Sequence, residues 1–129
     1  MFVFLDISLT LFIVAVPPMM TVPSQLEGAT IGGNVSLRCK SEAFPASINY
    51  WVRGDRGETV TSGPRVRAET QVNNHITHMR LDIMEVREQD ITSYRCVAKN
   101  SLGETDGKIR LYGEVLNIIH GNSRAFYSH

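Results

Sequence analysis

The stretch that decides the fold is DITSYRC, residues 90–96, which ends on the second of two cysteines. Tyr94 stands two residues before Cys96, and the other cysteine, Cys39, lies 57 positions earlier. The only tryptophan, Trp51, follows Cys39 by 12 positions. Two cysteines, a tryptophan and a tyrosine therefore form one spaced set, which is more specific than any of the four alone.

The segments around this set alternate between apolar and polar residues. The apolar positions of four such segments are Val35, Leu37 and Cys39; Met79, Leu81 and Ile83; Tyr94, Cys96 and Ala98; and Ile109 and Leu111. One apolar face per segment is typical of half-buried antiparallel strands. Gly, Pro, Asn and Asp residues stand between the segments, and many short strands with regular turns indicate a sandwich or a barrel.

The spaced set favours the sandwich. A bridge between two sheets, a tryptophan packed on it and a tyrosine two residues before the second cysteine are hallmarks of the immunoglobulin fold. Two unrelated buried thiols would require the spacings of Trp51 and Tyr94 to be coincidences. The sequence therefore predicts an all-β, immunoglobulin-like sandwich of the I-set type, with two sheets and one inter-sheet disulfide between Cys39 and Cys96. A bridge that closes so long a loop contributes about 4 kcal/mol in the chain-entropy model.

Composition and motifs limit the function. The chain has 129 residues, in which 13 Lys and Arg balance 13 Asp and Glu. This length allows one domain, and the neutral balance argues against a nucleic-acid partner, because such binders carry a basic patch. The sequence has no Gly-rich phosphate loop or nucleophile elbow, so we expect no enzyme, no catalytic residue, no cofactor and no small-molecule substrate. His75 and His78 are three positions apart, which sends them to opposite faces of a strand and predicts no metal site.

The two ends differ from the middle. Residues 1–16 hold an apolar run without Lys or Arg, which is too short to span a membrane as a helix. The run resembles the apolar region of an export signal, and the alternative is a different first exon joined to the domain. Residues 113–129 predict a flexible C-terminal tail without a lipid-anchor signal. The predicted immunoglobulin-like domain is residues 17–112.

Three stretches carry a family resemblance: VPSQLEGA at 22–29, SINYW at 47–51, and SYRCVAKNSLGETDGKIRLY at 93–112. They resemble the third immunoglobulin domain of the insect lachesins and Dpr-interacting proteins, which belong with the IgLON-like neuronal adhesion molecules. The resemblance covers about residues 16–112. The third stretch is far longer than a generic immunoglobulin pattern.

The resemblance implies an extracellular module of a neuronal adhesion protein, held at the cell surface through its parent. Members of the family have three such domains, an export signal and often a lipid anchor, and they bind other immunoglobulin-superfamily molecules through their first domain. A chain with one such domain is expected to be the membrane-proximal spacer or a fragment of it. No partner-contact residue can be carried over to it. The alternatives are a structural domain of an intracellular scaffold and a secreted single-domain decoy.

Alternation also defines a candidate interface on one sheet. If Trp51, Tyr94 and Cys96 point inward, their neighbours point outward. The outward set is Ile48, Tyr50 and Val52; Arg95, Val97 and Lys99; and Lys108, Arg110 and Tyr112. An exposed apolar stripe edged with cations is typical of a protein contact. The alternative is a bulge that turns Ile48 inward, because an inward Asn49 is unusual.

Two further residues have expected roles. Asn34 begins the only N-x-S/T sequon, at a glycine turn, which predicts a glycan if the chain is exported. Asp90 stands four residues before Tyr94 and is expected to cap the backbone or to pair with Arg65 or Arg67.

Overall fold

Strands make up most of the molecule. The structure is a computed structural model that describes residues 2–6, 11–117 and 123–127, with side chains from residue 15 to residue 114. The strands are β1 (Phe2–Asp6), β2 (Leu11–Thr21), β3 (Leu26–Thr30), β4 (Val35–Phe44), β5 (Ile48–Arg53), β6 (Glu58–Thr59), β7 (Val66–Asn73), β8 (Ile76–Ile83), β9 (Ser93–Asn100), β10 (Gly103–Asn117) and β11 (Ser123–Tyr127). A 3-10 turn at Glu88–Asp90 connects β8 to β9.

The strands form two sheets that pack face to face. The first sheet has the order β1-β2-β4-β8-β7, and the second has the order β11-β10-β9-β5-β6. Strand β3 pairs with β10 in parallel, whereas the other strand pairs are antiparallel. A disulfide joins Cys39 on β4 to Cys96 on β9 and so connects the sheets. The predicted all-β, immunoglobulin-like sandwich with one inter-sheet bridge is confirmed.

The inward positions of the alternating segments form the core. Leu37, Leu81, Ile109 and Leu111 are fully buried, and burial of one such side chain stabilises the fold by about 1.5–3 kcal/mol. Both cysteines, Trp51 and Tyr94 belong to the same buried cluster. The hallmark residues therefore lie together between the sheets.

At both ends the strands extend beyond the boundaries drawn from the sequence. Strand β2 begins at Leu11 and pairs with β1. Strand β10 continues to Asn117, where the sequence predicts a flexible tail. Its pairing with β9 ends at Arg110, and beyond that residue it pairs with β3 and then with β11. The domain boundaries themselves stay a prediction. Within the described ranges no helix has the length and apolar character needed to cross a membrane.

Candidate protein interface

Asp90 is the centre of a buried polar cluster at the 3-10 turn. Its carboxylate accepts hydrogen bonds from Arg65 Nη1 and from the backbone N–H of Arg87, each at 2.9 Å. Arg53 Nη2 lies 4.0 Å from the same carboxylate. The hydroxyl of Tyr94 donates to the backbone oxygen of Asp90 at 2.8 Å. Asp90 therefore caps the backbone and also pairs with a base.

The base that pairs with Asp90 is Arg65. Arg67 lies on β7 and pairs with Glu69 at 3.3 Å, on the solvent side. Arg65 precedes β7, and its Nη1 also donates to the carbonyl oxygen of Met84 at 3.2 Å. This guanidinium thus ties the start of β7 to the turn after β8.

The surroundings of this cluster shift three pKa values. Burial raises the pKa of Asp90, but the hydrogen bonds from Arg65 and from the N–H of Arg87, with the charges of Arg65 and Arg53, outweigh it and hold that pKa below its ordinary value. The hydrogen bond to Asp90 raises the pKa of Arg65. Burial raises the pKa of Tyr94 to about 12. At neutral pH Asp90 is therefore ionised and Tyr94 is neutral, and both states suit the hydrogen bonds that these residues make within the fold.

The candidate interface is the outer face of β5, β9 and β10. The strand register arranges it in three rows, which are Ile48–Lys99–Glu104, Tyr50–Val97–Asp106 and Val52–Arg95–Lys108. Lys99 and Lys108 are exposed, whereas Tyr50 and Arg95 are half-buried. Farther along β10, Arg110 and Tyr112 are half-buried as well.

The predicted exposure of Val52 and Val97 is wrong, since each is only 6% exposed. Arg95 is opposite Val52, and Asp106 is opposite Val97. The side chain of Arg95 reaches diagonally to that of Asp106, and the two charged groups are 3.7 Å apart. This ion pair and the ring of Tyr50 line the same shallow groove as the two valines. The centre of the face is therefore covered by charged and aromatic side chains, not open as an apolar stripe.

Strand β5 has no bulge that turns Ile48 inward. Ile48 is 64% exposed, and Asn49 points toward the first sheet. Ser41 on β4, which is buried, donates to Asn49 Oδ1 at 2.9 Å. Asn49 Nδ2 in turn donates to the backbone oxygen of Ser47 at 3.0 Å. An inward asparagine is tolerated because both ends of its amide are hydrogen-bonded.

Asn34 is exposed at the turn before β4. The backbone N–H of Glu85 donates to Asn34 Oδ1 at 3.2 Å. This bond engages Oδ1, whereas a glycan would be attached to Nδ2. Glycosylation at Asn34 stays a prediction.

Asn100 has a role that sequence reasoning misses. Its Nδ2 donates to the backbone oxygens of Val16 at 3.0 Å and Pro45 at 2.9 Å. Its Oδ1 accepts from the N–H groups of Leu102 at 2.9 Å and Gly103 at 3.2 Å. An Asn before a Ser-Leu-Gly turn is a local turn signal, but the bond to Val16 spans 84 positions and has no local signature.

The histidines do not form a metal site in the described part of the chain. His75 lies in the turn between β7 and β8, and its Nε2 is 3.2 Å from a carboxylate oxygen of Glu42. His78 is exposed on β8. Among the residues that the structure describes, no three His, Cys, Asp or Glu side chains are grouped so as to hold a metal ion.

Comparisons with known proteins give one consistent set of similarities. A family model described as "Immunoglobulin domain" matches residues 17–100. Neuronal growth regulator 1 of Gallus gallus is 33% identical over 84 residues, which are 65% of this chain and 22% of that protein. Limbic system-associated membrane protein of Mus musculus is 31% identical over 98 residues, which are 76% of this chain and 27% of that protein.

One solved structure is more similar in sequence. The crystal structure of Dpr2 Ig1-Ig2 in complex with DIP-Theta Ig1-Ig3 contains a chain that is 48% identical, with a TM-score of 0.75, over 78% of this chain and 34% of that chain. This chain thus spans about a quarter of the curated relatives and about a third of the solved chain.

Proposed function

The chain belongs to the immunoglobulin-domain family, and from that premise we propose that it is an extracellular module of a neuronal cell-adhesion protein. The observation that carries the proposal is the 48% identity to a chain of the Dpr2 and DIP-Theta complex. Similarity to neuronal growth regulator 1 and to limbic system-associated membrane protein supports the same setting. The buried bridge between Cys39 and Cys96 supports an oxidising compartment, where disulfides form and persist.

Within its parent, the module serves as the membrane-proximal third domain and acts as a spacer. A match to 34% of the solved chain is the share that one domain of three would take. The low exposure of Val52 and Val97 also favours a spacer, because it leaves no open apolar stripe at the centre of the β5–β9–β10 face. The parent would bind other immunoglobulin-superfamily molecules through its remaining domains.

The intact mass of protein expressed in insect cells tests the extracellular setting. Residues 1–129 are expressed once with their own first residues and once behind an independent export signal. We expect protein in the medium that is two hydrogens lighter than the reduced chain and carries a glycan, which Asn34→Gln removes. Free thiols in protein exported by the independent signal would contradict the proposal.

Surface plasmon resonance against a Dpr2 Ig1-Ig2 fragment tests the spacer role. A spacer is expected to show no saturable binding to this fragment. Saturable binding that Tyr50→Glu abolishes, at an unchanged melting temperature, would contradict the spacer role and make the β5–β9–β10 face a partner site.

A further inference from the structure

The outer face of the first sheet carries a group of basic side chains that the proposed function does not use. Arg38 and Lys40 lie on β4, and His78 and Arg80 lie on β8. Arg38 is directly opposite Arg80, and Lys40 is directly opposite His78. These four side chains, here called the basic groove, line a shallow groove of about 680 Å³.

Only part of the positive charge in the basic groove is neutralised. Arg80 pairs with Glu69 at 2.8 Å and with Asp82 at 3.1 Å. Lys40 and Arg38 are exposed, and neither has an ion pair or a hydrogen bond from its side chain within the described ranges. Like charges that face each other across two strands destabilise a sheet. Glu69 and Asp82 offset this repulsion at Arg80, so among the described residues the unpaired charges of the groove are those of Arg38 and Lys40.

We propose that the basic groove binds a sulfated polysaccharide of the heparan type. The β-carbons of these residues lie about 5 Å apart across the strands and about 7 Å apart along a strand, so that their side chains can face successive sulfate groups of a linear chain. Gln71, which is directly opposite His78, lies in the same lining and can hydrogen-bond sugar hydroxyls. The inference rests on the proposed extracellular setting, where such polysaccharides are found.

The lining of the groove distinguishes this ligand from other polyanions. Among the described residues that line it, His78 carries the one aromatic ring, whereas binders of single-stranded nucleic acid stack successive bases on several such rings. The exposed lining is polar, except for Pro23 at the rim. An amphipathic membrane contact adds buried apolar side chains to the electrostatic attraction. A hydrophilic, sulfated chain matches both the charge and the polarity of the groove.

Binding of the full 129-residue chain to immobilised heparin tests the proposal. The Kd is measured between 50 and 300 mM NaCl for the wild type and for Arg38→Ser with Lys40→Ser. We expect the double variant to bind roughly tenfold or more weakly at 150 mM NaCl, since each cation near an anionic surface contributes appreciably to binding. The slope of log Kd against log salt concentration should fall by about one to two.

The matched control is Lys99→Ser with Lys108→Ser, which removes two charges from the opposite sheet. It should bind heparin like the wild type, and all variants should keep their thermal melting. No wild-type binding at 150 mM NaCl, an equal loss in the control, or equal binding to desulfated heparin would overturn the proposal. Binding to vesicles with anionic lipid but not to heparin would overturn it as well. None of these outcomes affects the bridge and export measured by mass.

Discussion

Asp90 connects three elements through one residue. Its carboxylate holds Arg65, before β7, and the N–H of Arg87 in the 3-10 turn, while its carbonyl oxygen holds Tyr94 on β9. The carboxylate is nearly inaccessible to solvent. A buried charge is tolerated only with such partners, because an unpaired one carries a large desolvation cost.

Replacing Asp90 with Asn removes the charge but keeps the shape of the side chain. Because the folded pKa of Asp90 lies below the unfolded value, its contribution to stability is present above about pH 3.9 and is lost as the pH falls through the folded pKa. We expect Asp90→Asn to lower the free energy of unfolding by about 2–4 kcal/mol at pH 7. The loss should shrink at pH 3. Urea unfolding at both pH values measures it, and an undiminished loss at pH 3 would contradict the role of the charge.

Tyr94 affects the free energy of unfolding at alkaline pH, whereas Asp90 affects it at acidic pH. Burial raises its folded pKa to about 12, so stability is unaffected below the unfolded pKa near 10 and falls as the pH rises from 10 to 12. We expect Tyr94→Phe to cost about 1 kcal/mol at pH 7. It should also remove a step at about pH 12 from the absorbance titration at 295 nm of native protein. A titration curve that Tyr94→Phe leaves unchanged above pH 11 would refute this.

At the scale of single residues, the sequence predicts roles better than partners. The need of Asp90 for a cap or a base follows from its position before the tyrosine, but Arg65 and Arg67 are two apart and equivalent by alternation. The choice depends on where β7 begins and on its register, in which Arg67 is opposite Asp82. Both are set by pairing with β8, in which the first residue of β7, Val66, is opposite Ile83, 17 positions later.

At the scale of the elements, the packing of β10 against the end of β2 requires a glycine at position 107. Gly107 is directly opposite Cys96 on β9. A β-carbon at Gly107 would overlap Val22, after β2, and would lie 3.1 Å from Met20 Cγ and 3.3 Å from Cys96 Sγ. The absence of a side chain lets the end of β2 pack directly over the bridge.

Gly107→Ala should therefore destabilise the fold through overpacking. We expect a loss of about 1–3 kcal/mol in the free energy of unfolding. Gly103→Ala on the same strand is the matched control, because a β-carbon there has no atom within 4 Å, and its effect should stay within about 0.5 kcal/mol. Chemical denaturation of the two variants measures both values, and equal losses would exclude overpacking at Gly107 as the cause.

Alternation along the strands identifies the sheet faces correctly but not what covers them. It places Val52 and Val97 on the outer face, yet both are buried, and Arg95 next to them reaches to Asp106. That reach requires the register between β9 and β10, which the turn at residues 100–103 sets. It likewise places Asn49 inward but gives no sign of Ser41, which accommodates it.

For the whole molecule, the Cys39–Cys96 bridge is the strongest single constraint. It joins β4 to β9 and encloses 57 positions of the chain. Reduction should lower the free energy of unfolding by about 4 kcal/mol and the melting temperature by about 10–25 °C. Calorimetry with and without reductant, with thiols counted by alkylation, measures this. A melting temperature that stays the same after both thiols are freed would contradict it.

The parallel pairing of β3 with β10 has a mechanical consequence. Tension that pulls the start of β3 away from the end of β10 slides the two strands along each other, so the five residue pairs from Leu26 with Arg110 to Thr30 with Glu114 are sheared together. A hairpin pulled at its open end instead unzips one pair at a time. The bridge then stops the segment between Cys39 and Cys96 from extending. If the module stands between two cell surfaces, as proposed, this arrangement would let it keep its length under tension.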